Sequence, residues 1–140
     1  MKFLDRLHPL ATLALRLALG AIMISHGAQK VFGGMPRFMG MLQGMGIPPI
    51  LGYLTAAAEF GGGILLVVGL LTRLAALSIV IDMLVAIDKV HFKNGLKGPG
   101  GYEFPMACAT IAFALILLGA GPISLDGAFF RGGGGGAGRK

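Results

Sequence analysis

The sequence lacks tryptophan, has a single cysteine and carries few charged residues. Charged residues make up 13% of its 140 residues, whereas hydrophobic residues make up 55%. Soluble domains carry about 25% charged residues, so this chain could not cover a water-facing surface with polar groups, and we expect a lipid bilayer around it. The lone cysteine, Cys108, lies in an apolar run, which excludes an intramolecular disulfide bond and a CxxC site.

Acidic residues are also scarce: the chain has 6 of them against 12 lysines and arginines, which gives a formal net charge of +6. In a soluble protein such an excess would favour nucleic-acid binding. Here the basic residues are too few and too scattered to form a basic face. Most of them lie at the ends of hydrophobic stretches, where cations meet lipid headgroups. We therefore expect no nucleic-acid partner.

Four long hydrophobic stretches dominate the sequence. They cover residues of about 9–32, 50–71, 74–92 and 102–119, and a helix needs about 20 residues to cross a bilayer. The segment Pro36–Met45, between the first two stretches, is typical of a short amphipathic helix that lies in the membrane interface. These features predict an all-α, multi-pass membrane protein. Residues 1–130 would form one four-helix bundle, followed by a flexible glycine-rich tail at 131–140.

The distribution of basic residues bears on the orientation, because an even number of spans puts both termini on one side. The side of the termini would carry six basic residues: Lys2, Arg6, Arg73, Arg131, Arg139 and Lys140. The opposite side would carry five: Lys30, Arg37, Lys89, Lys93 and Lys97. Positive residues accumulate in the cytoplasm, so this small excess favours cytoplasmic termini.

Four ionisable residues lie well inside the predicted spans: Arg16, His26, Glu59 and Asp82. A charge at the centre of a bilayer costs about 2.5–3.5 kcal/mol on insertion scales, so these side chains should face the interior of the bundle and find partners there. The simplest solution pairs Arg16 with Glu59 or with Asp82. We predict a structural Arg16–Glu59 ion pair that fixes the register of the helices.

A polar pocket is predicted at the end of the bundle away from the termini. Residues of several spans would meet there: His26, Lys30, Asp88, Lys89, His91, Tyr102 and Glu103, with Glu59 and Asp82 beneath them. As binding residues we predict His26, Glu59, Asp82, Tyr102 and Glu103, because such groups inside a membrane handle protons, a polar headgroup or a metal. Ordinary snorkelling towards the interface explains Lys30, Lys89 and Glu103 without any function.

Metal binding is an open alternative at this pocket, although no metal ligands are assigned. The candidates His26, Glu59, Asp82 and His91 form no tight motif such as HExxH. Four methionines between the first two spans offer thioether ligands for Cu(I), but an apolar interfacial helix also explains them. They are Met35, Met39, Met41 and Met45.

Five segments of the sequence together resemble the DoxX family. They are RLALGAIMISHGAQKVFGG at 16–34, MGIPP at 45–49, EFGGGILLVVGLLTRLAAL at 59–77, GYEFPMACAT at 101–110 and GPISLDGAFF at 121–130. Their order and spacing carry the likeness over roughly residues 10–130. The residues that match the family pattern are Arg16, His26, Gly27, Lys30, Glu59, Gly62, Tyr102 and Glu103.

The resemblance implies a four-helix protein of the bacterial cytoplasmic (inner) membrane. Members of this family are associated with membrane oxidoreductase systems, including the small subunit of a thiosulfate:quinone oxidoreductase and partners in oxidative-stress complexes. Many have no established activity. The sequence encodes no flavin, haem or iron–sulfur motif and no autonomous catalytic motif, so redox chemistry would need a partner protein or a quinone dissolved in the membrane.

Three functions are compatible with these observations. The first is a quinone-interacting subunit or membrane anchor of an oxidoreductase complex, since a quinone site needs an apolar tunnel, hydrogen-bond donors and a proton carrier. The second is a transporter that handles protons or a metal through a Glu59/Asp82 cavity and that would need to form a homo-oligomer. The third is a purely structural anchor for a soluble enzyme, in which the buried charges only fix the helices.

Overall fold

The computed structural model describes residues 2–130, and these residues are 80% helical with no β-strand. The helices are α1 (Lys2–Asp5), α2 (His8–Gln29), α3 (Met35–Gly44), α4 (Leu51–Ala56), α5 (Gly62–Val68), α6 (Thr72–Ala86), α7 (Glu103–Leu118) and α8 (Leu125–Phe130). The all-α prediction is therefore confirmed, and a separate short helix, α3, lies where the sequence predicted one. The predicted glycine-rich tail at 131–140 falls outside the described residues.

Two helical segments are long and apolar enough to cross a membrane. His8–Gly44, which contains α2 and α3, has 37 residues, and Leu51–Val68, which contains α4 and α5, has 18 residues. The apolar helix α7 is shorter, with 16 residues. The structure thus supports a membrane protein through these two segments, while the four predicted spans remain a prediction.

Three single π-helical turns interrupt the long helices. They are Lys30–Gly34 after α2, Ala57–Gly61 between α4 and α5, and Ile87–His91 after α6. A π turn widens the helix by one residue and occurs frequently at functional sites. Each of the three turns contains at least one ionisable residue of the predicted polar pocket.

The first π turn also bends the chain from α2 into α3. Phe32 departs from helical geometry with φ −97° and ψ 38°, and Gly33 has φ +125°. Side chains are strained at such a positive φ, whereas glycine adopts it freely. The bend at Gly33 therefore lets α3 leave the direction of α2 and fold back towards α4, where Gly52 lies against Met35 and Met39.

The core of the protein lies where α2, α5, α6 and α7 meet. Its fully buried members include Leu19 and Met23 from α2, Leu66 from α5, Ile79 from α6, and Cys108, Ala112 and Leu115 from α7. Cys108 is thus a small buried residue of the core, as its apolar neighbours in the sequence indicated.

Helices α2 and α5 approach each other closely through glycines. A Cβ atom added at Gly20 would lie 2.9 Å from the carbonyl oxygen of Gly63, and one at Gly63 would lie 2.8 Å from the amide nitrogen of Ile24. At Gly27, a Cβ would lie 2.4 Å from the amide nitrogen of Phe60. Small residues allow such backbone contacts, which replace the hydrophobic drive that lipid does not provide between helices.

The buried guanidinium of Arg16 binds backbone carbonyls, and the predicted Arg16–Glu59 ion pair is wrong. Arg16 is 1% exposed. Its Nε donates to the carbonyl of Leu66 at 2.8 Å and its Nη2 to that of Val67 at 2.9 Å. Its Nη1 donates to the carbonyls of Ala120 at 2.8 Å and Ile123 at 2.7 Å. Glu59 pairs with Lys30 instead.

The end of α5 explains this choice of partner. The last carbonyls of a helix lack the N–H donor that the next turn would supply. A cation near them also interacts favourably with the helix dipole. The planar guanidinium has five N–H donors in a fixed fork, which suits a group of converging carbonyls. Glu59 lies seven residues before Leu66, which is about 10 Å along the axis, so Arg16 meets the C-terminal end of this helical segment rather than the carboxylate.

Asp126 binds the start of α6, next to the end of α5 that Arg16 binds. Its two carboxylate oxygens accept hydrogen bonds from the backbone N–H groups of Leu71 at 2.8 Å and Thr72 at 2.9 Å, where α6 begins. Its own N–H donates to the carbonyl of Gly69 at 2.8 Å. A carboxylate at a helix N-terminus satisfies free N–H groups and complements the dipole. Arg16 and Asp126 together therefore fix the segment 119–126 against the turn between α5 and α6.

We expect replacement of Arg16 to be strongly destabilising. Arg16→Met removes a charge-assisted donor from four carbonyls and should lower the free energy of unfolding by about 3–5 kcal/mol. Arg16→Lys should give a smaller loss, because it keeps the charge but not the fork. Thermal unfolding in mild detergent measures both. Arg73→Met is the matched control, since exposed Arg73 reaches one carbonyl, that of Leu117, at 3.5 Å. Equal losses at positions 16 and 73 would contradict the assignment.

Candidate ligand-binding cavity

A buried ion pair joins the first two π turns. Lys30 Nζ donates to the carboxylate of Glu59, and the two side chains are 15% and 8% exposed. The same ammonium lies 4.8 Å from the centre of the Phe38 ring of α3, in a cation–π contact. The Lys30 ammonium is largely enclosed by protein and has a direct carboxylate partner, so it does not extend freely towards the surface.

This ion pair forms one wall of a cavity of about 260 Å³. The ionisable residues that line the cavity are His26, Lys30, Glu59, Asp82, Lys89 and His91. Apolar residues of α3 line another part, among them Phe38, Met41 and Leu42. The structure therefore brings together His26, Glu59 and Asp82, three of the five predicted binding residues. We name this space the polar cavity.

Tyr102 and Glu103, the other two predicted binding residues, are not among the residues that line the polar cavity. The Tyr102 ring stacks on Phe92 with ring centres 5.9 Å apart, and Glu103 is exposed at the start of α7. The next residue, Phe104, lines the cavity instead, and its ring lies 5.4 Å from that of His26. Sequence reasoning missed Phe104, because a phenylalanine in an apolar span gives no signal of function.

The remaining charged residues near the cavity differ in their surroundings. Lys89 forms an ion pair with Asp88 at 3.0 Å, and both side chains are more than half exposed. His91 donates from Nδ1 to the carbonyl of Gly100 at 2.7 Å. A carbonyl oxygen can only accept, so this contact assigns the Nδ1 position to a proton. Among residues 2–130, no three His, Cys, Asp or Glu side chains form a group that could hold a metal ion.

A second space, the apolar groove, continues from the polar cavity. It has a volume of about 640 Å³ and runs between the α4–α5 segment and α6. Five residues line both spaces: Leu42, Ile47, Thr55, Asp82 and Val85. Most of the groove lining is aliphatic or small, and its polar side chains are Thr55, Ser78 and Asp82. Asp82 thus stands where the cavity that contains the ionisable side chains meets a groove lined mostly by aliphatic and small residues.

The contributions of Lys30 and Glu59 to the free energy of unfolding should depend on each other. Glu59→Gln removes the carboxylate that the largely buried Lys30 ammonium contacts directly, and Lys30→Met removes the ammonium that the Glu59 carboxylate contacts. Each single variant should therefore lose about 3–5 kcal/mol of unfolding free energy. The double variant should regain most of that loss, because neither charge is then buried. Thermal unfolding of the four proteins in one detergent measures the coupling.

The exposed pair Lys89–Asp88 is the matched control for this cycle. Its coupling should stay below about 1 kcal/mol, as for other solvent-exposed ion pairs. Strictly additive losses at Lys30 and Glu59 would contradict the role of the ion pair.

Comparison with known proteins places the chain in a family. The family model DoxX matches residues 11–92, which include both partners of the ion pair as well as His26 and Asp82. The match covers a shorter part of the chain than the predicted resemblance over residues 10–130, and it ends before the segments at 101–110 and 121–130.

Several relatives match over more of the chain. A protein of Bacillus subtilis (strain 168) named "Putative oxidoreductase CatD" is 31% identical over 123 residues, which are 88% of this chain and 90% of the relative. An uncharacterized protein of Haemophilus influenzae is 30% identical over 139 residues, 94% of this chain and 99% of the relative. The "Uncharacterized membrane protein Rv3486" of Mycobacterium tuberculosis is 34% identical over 96 residues, 67% of this chain and 58% of the relative.

No solved structure gives a significant match. The family model covers more than half of the sequence, and two relatives with at least 30% identity align over most of it. The predicted resemblance is therefore confirmed: the chain belongs to the DoxX family of membrane proteins.

Proposed function

We propose that this protein is a four-helix subunit of the bacterial inner membrane that holds a quinone for an oxidoreductase complex. The observation that carries the proposal is the union of two spaces, a polar cavity of about 260 Å³ and an apolar groove of about 640 Å³, with Asp82 at their junction. Ligand sites of about 300–1,000 Å³ with a few converging polar groups are typical of small-molecule binding. A quinone has the matching division into a polar head and an apolar tail.

The residues of the polar cavity fit a quinone head. A quinone supplies two-electron chemistry that also consumes two protons. Lys30 and His26 can donate hydrogen bonds to its carbonyl oxygens, and the Phe104 ring beside His26 offers a flat apolar surface for the head. The carboxylates of Glu59 and Asp82 and the imidazole of His91 can hold protons within the same cavity. These roles give His26, Glu59 and Asp82 the binding function that their sequence positions suggested.

Electrons would come from a partner subunit, because the sequence itself encodes no flavin, haem or iron–sulfur motif. The relationship to the Bacillus subtilis protein named "Putative oxidoreductase CatD" supports such a redox setting. Under the proposed topology α2, α4–α5, α6 and α7 each cross the membrane, and both termini lie in the cytoplasm. The π turns at Lys30–Gly34 and Ile87–His91 would then lie towards the opposite side and Ala57–Gly61 near the middle of its span, and residues of all three turns line the polar cavity.

A structural anchor is the second candidate, and the Lys30–Glu59 ion pair favours it. Both charges are satisfied by each other, as they would be in a protein whose buried charges only set the register of the helices. In that case substitutions in the polar cavity would change stability alone. Ligand content, measured separately from stability, distinguishes the two functions.

Quinone content should depend on the polar cavity. We expect near-stoichiometric quinone in the wild-type protein purified in mild detergent, and at least about tenfold less in Asp82→Asn and His26→Ala. A tenfold change corresponds to about 1.4 kcal/mol, which is the size of one hydrogen bond to a charged group. Extraction followed by chromatography measures quinone per protein, and thermal unfolding shows that each variant is folded.

Asp88→Asn is the control for this measurement, since the Asp88 side chain is 69% exposed and pairs with Lys89 at the surface. It should keep the wild-type quinone content. Wild-type quinone at the level of bulk membrane lipid would reject the redox proposal and leave the structural anchor.

A further inference from the structure

We infer that the apolar groove is the binding site for the isoprenoid tail of the quinone, and that this tail lies along α6 from Asp82 towards the start of that helix. The inference rests on the proposed function, because it assigns the second half of the same ligand. It adds the chemical class of the ligand: a long-chain isoprenoid quinone rather than a small, tail-free one.

The shape of the groove supports a chain-like occupant. Small residues of the α4–α5 segment form one wall: Ala57, Ala58, Gly61 and Gly62. A Cβ atom added at Gly61 would meet nothing within 4 Å, so open space begins directly at the backbone there. At Gly62, an added Cβ would lie 3.5 Å from Ile79 and from Ser78, so the groove narrows at that point. A narrow channel with aliphatic walls suits a flexible hydrocarbon chain.

The α6 residues that line the groove define its direction. They recur every three or four positions, on one face of the helix: Leu74, Ala75, Ser78, Ile81, Asp82 and Val85, with Leu71 just before α6. From Asp82 to Leu71 the chain covers eleven residues, or about 16 Å of helix rise. A tail whose head lies in the polar cavity would pass Asp82 and Thr55, which line both spaces, and then follow this face.

The groove is also accessible from the surrounding lipid. Leu54, Ile81 and Leu74 line it and are 66%, 55% and 63% exposed. In a membrane these side chains meet lipid, so a quinone could enter sideways with its tail still in the bilayer. Lateral entry spares the tail any passage through water.

Charge favours a quinone over a phospholipid acyl chain as the occupant. The polar end of the groove is Asp82, which lies within α6, ten residues after its first residue Thr72. A phospholipid whose head entered at this end would have to bring its anionic phosphate next to this carboxylate and away from the interface, and both steps are unfavourable. The neutral head of a quinone carries no such penalty.

The test compares two quinones with the same head, one with an isoprenoid tail of several units and one in which a methyl group replaces the tail. Binding is measured on the full chain in lipid nanodiscs, for the wild type and for Gly61→Phe, whose ring would fill the open space in the groove. We expect Gly61→Phe to lower the affinity for the tailed quinone at least tenfold and to change that for the tail-free quinone less than twofold. The ratio between variants cancels the partitioning of the tailed probe into lipid.

Gly40→Phe is the matched control. A Cβ at Gly40 on α3 also meets nothing within 4 Å, and Gly40 is not among the residues that line either space. It should change neither affinity. If Gly61→Phe fails to fold, Ser78→Leu fills the groove from the side of α6 and should give the same selective loss.

The outcomes separate this inference from the proposed function. If both quinones bind the wild type and Gly61→Phe weakens them equally or not at all, the groove does not hold the tail, while the polar cavity still binds the head. If the wild type binds neither quinone, the proposed function fails and the inference with it. Co-purified phospholipid that Gly61→Phe displaces, with quinone content unchanged, would assign the groove to an acyl chain and overturn the inference.

Discussion

The hydrogen bonds from Arg16 to four backbone carbonyls join three parts of the chain that are far apart in the sequence. One side of the guanidinium binds the end of α5, and the other binds the segment after α7. Asp126 completes the link, because its carboxylate binds the N–H groups at the start of α6. A buried charge is tolerated only when its donors are satisfied. The positions of α5, α6 and the segment that leads into α8 are therefore fixed by Arg16 together with Asp126.

At the other end of the helices, a second buried cation is stabilised by a different kind of partner. There the buried cation, Lys30, has a carboxylate partner, Glu59, and both residues lie in π turns. Arg16 is surrounded by backbone and leaves no space, whereas the Lys30–Glu59 pair borders a cavity. A charge enclosed by carbonyls serves the fold. A charge pair beside an open volume, in contrast, leaves room for a ligand next to the charges.

The sequence predicted the helical class, the short helix between the first two spans, the family and the grouping of His26, Glu59 and Asp82. It could do so because each of these depends on composition, spacing or the cost of burying a charge. It failed for the partner of Arg16, since backbone carbonyls are present at every residue and carry no sequence signal. It did not anticipate that Tyr102 and Glu103 lie outside the lining of the polar cavity, because their positions depend on how the glycine-rich loop before α7 turns. The groove beside Gly61 could not be predicted either, because open space depends on how the helices pack and not on the residue type at one position.

The separation of Arg16 from its partners along the chain has a consequence for biosynthesis. Ala120 and Ile123 follow Arg16 by 104 and 107 residues. A ribosome adds about 5–20 residues per second, so these carbonyls become available roughly 5–20 s after Arg16 has been made. During that interval the first span carries an incompletely satisfied cation, which disfavours its release into lipid. A chain that ends before Ala120 therefore lacks two of the four carbonyl acceptors that surround Arg16 in the folded protein.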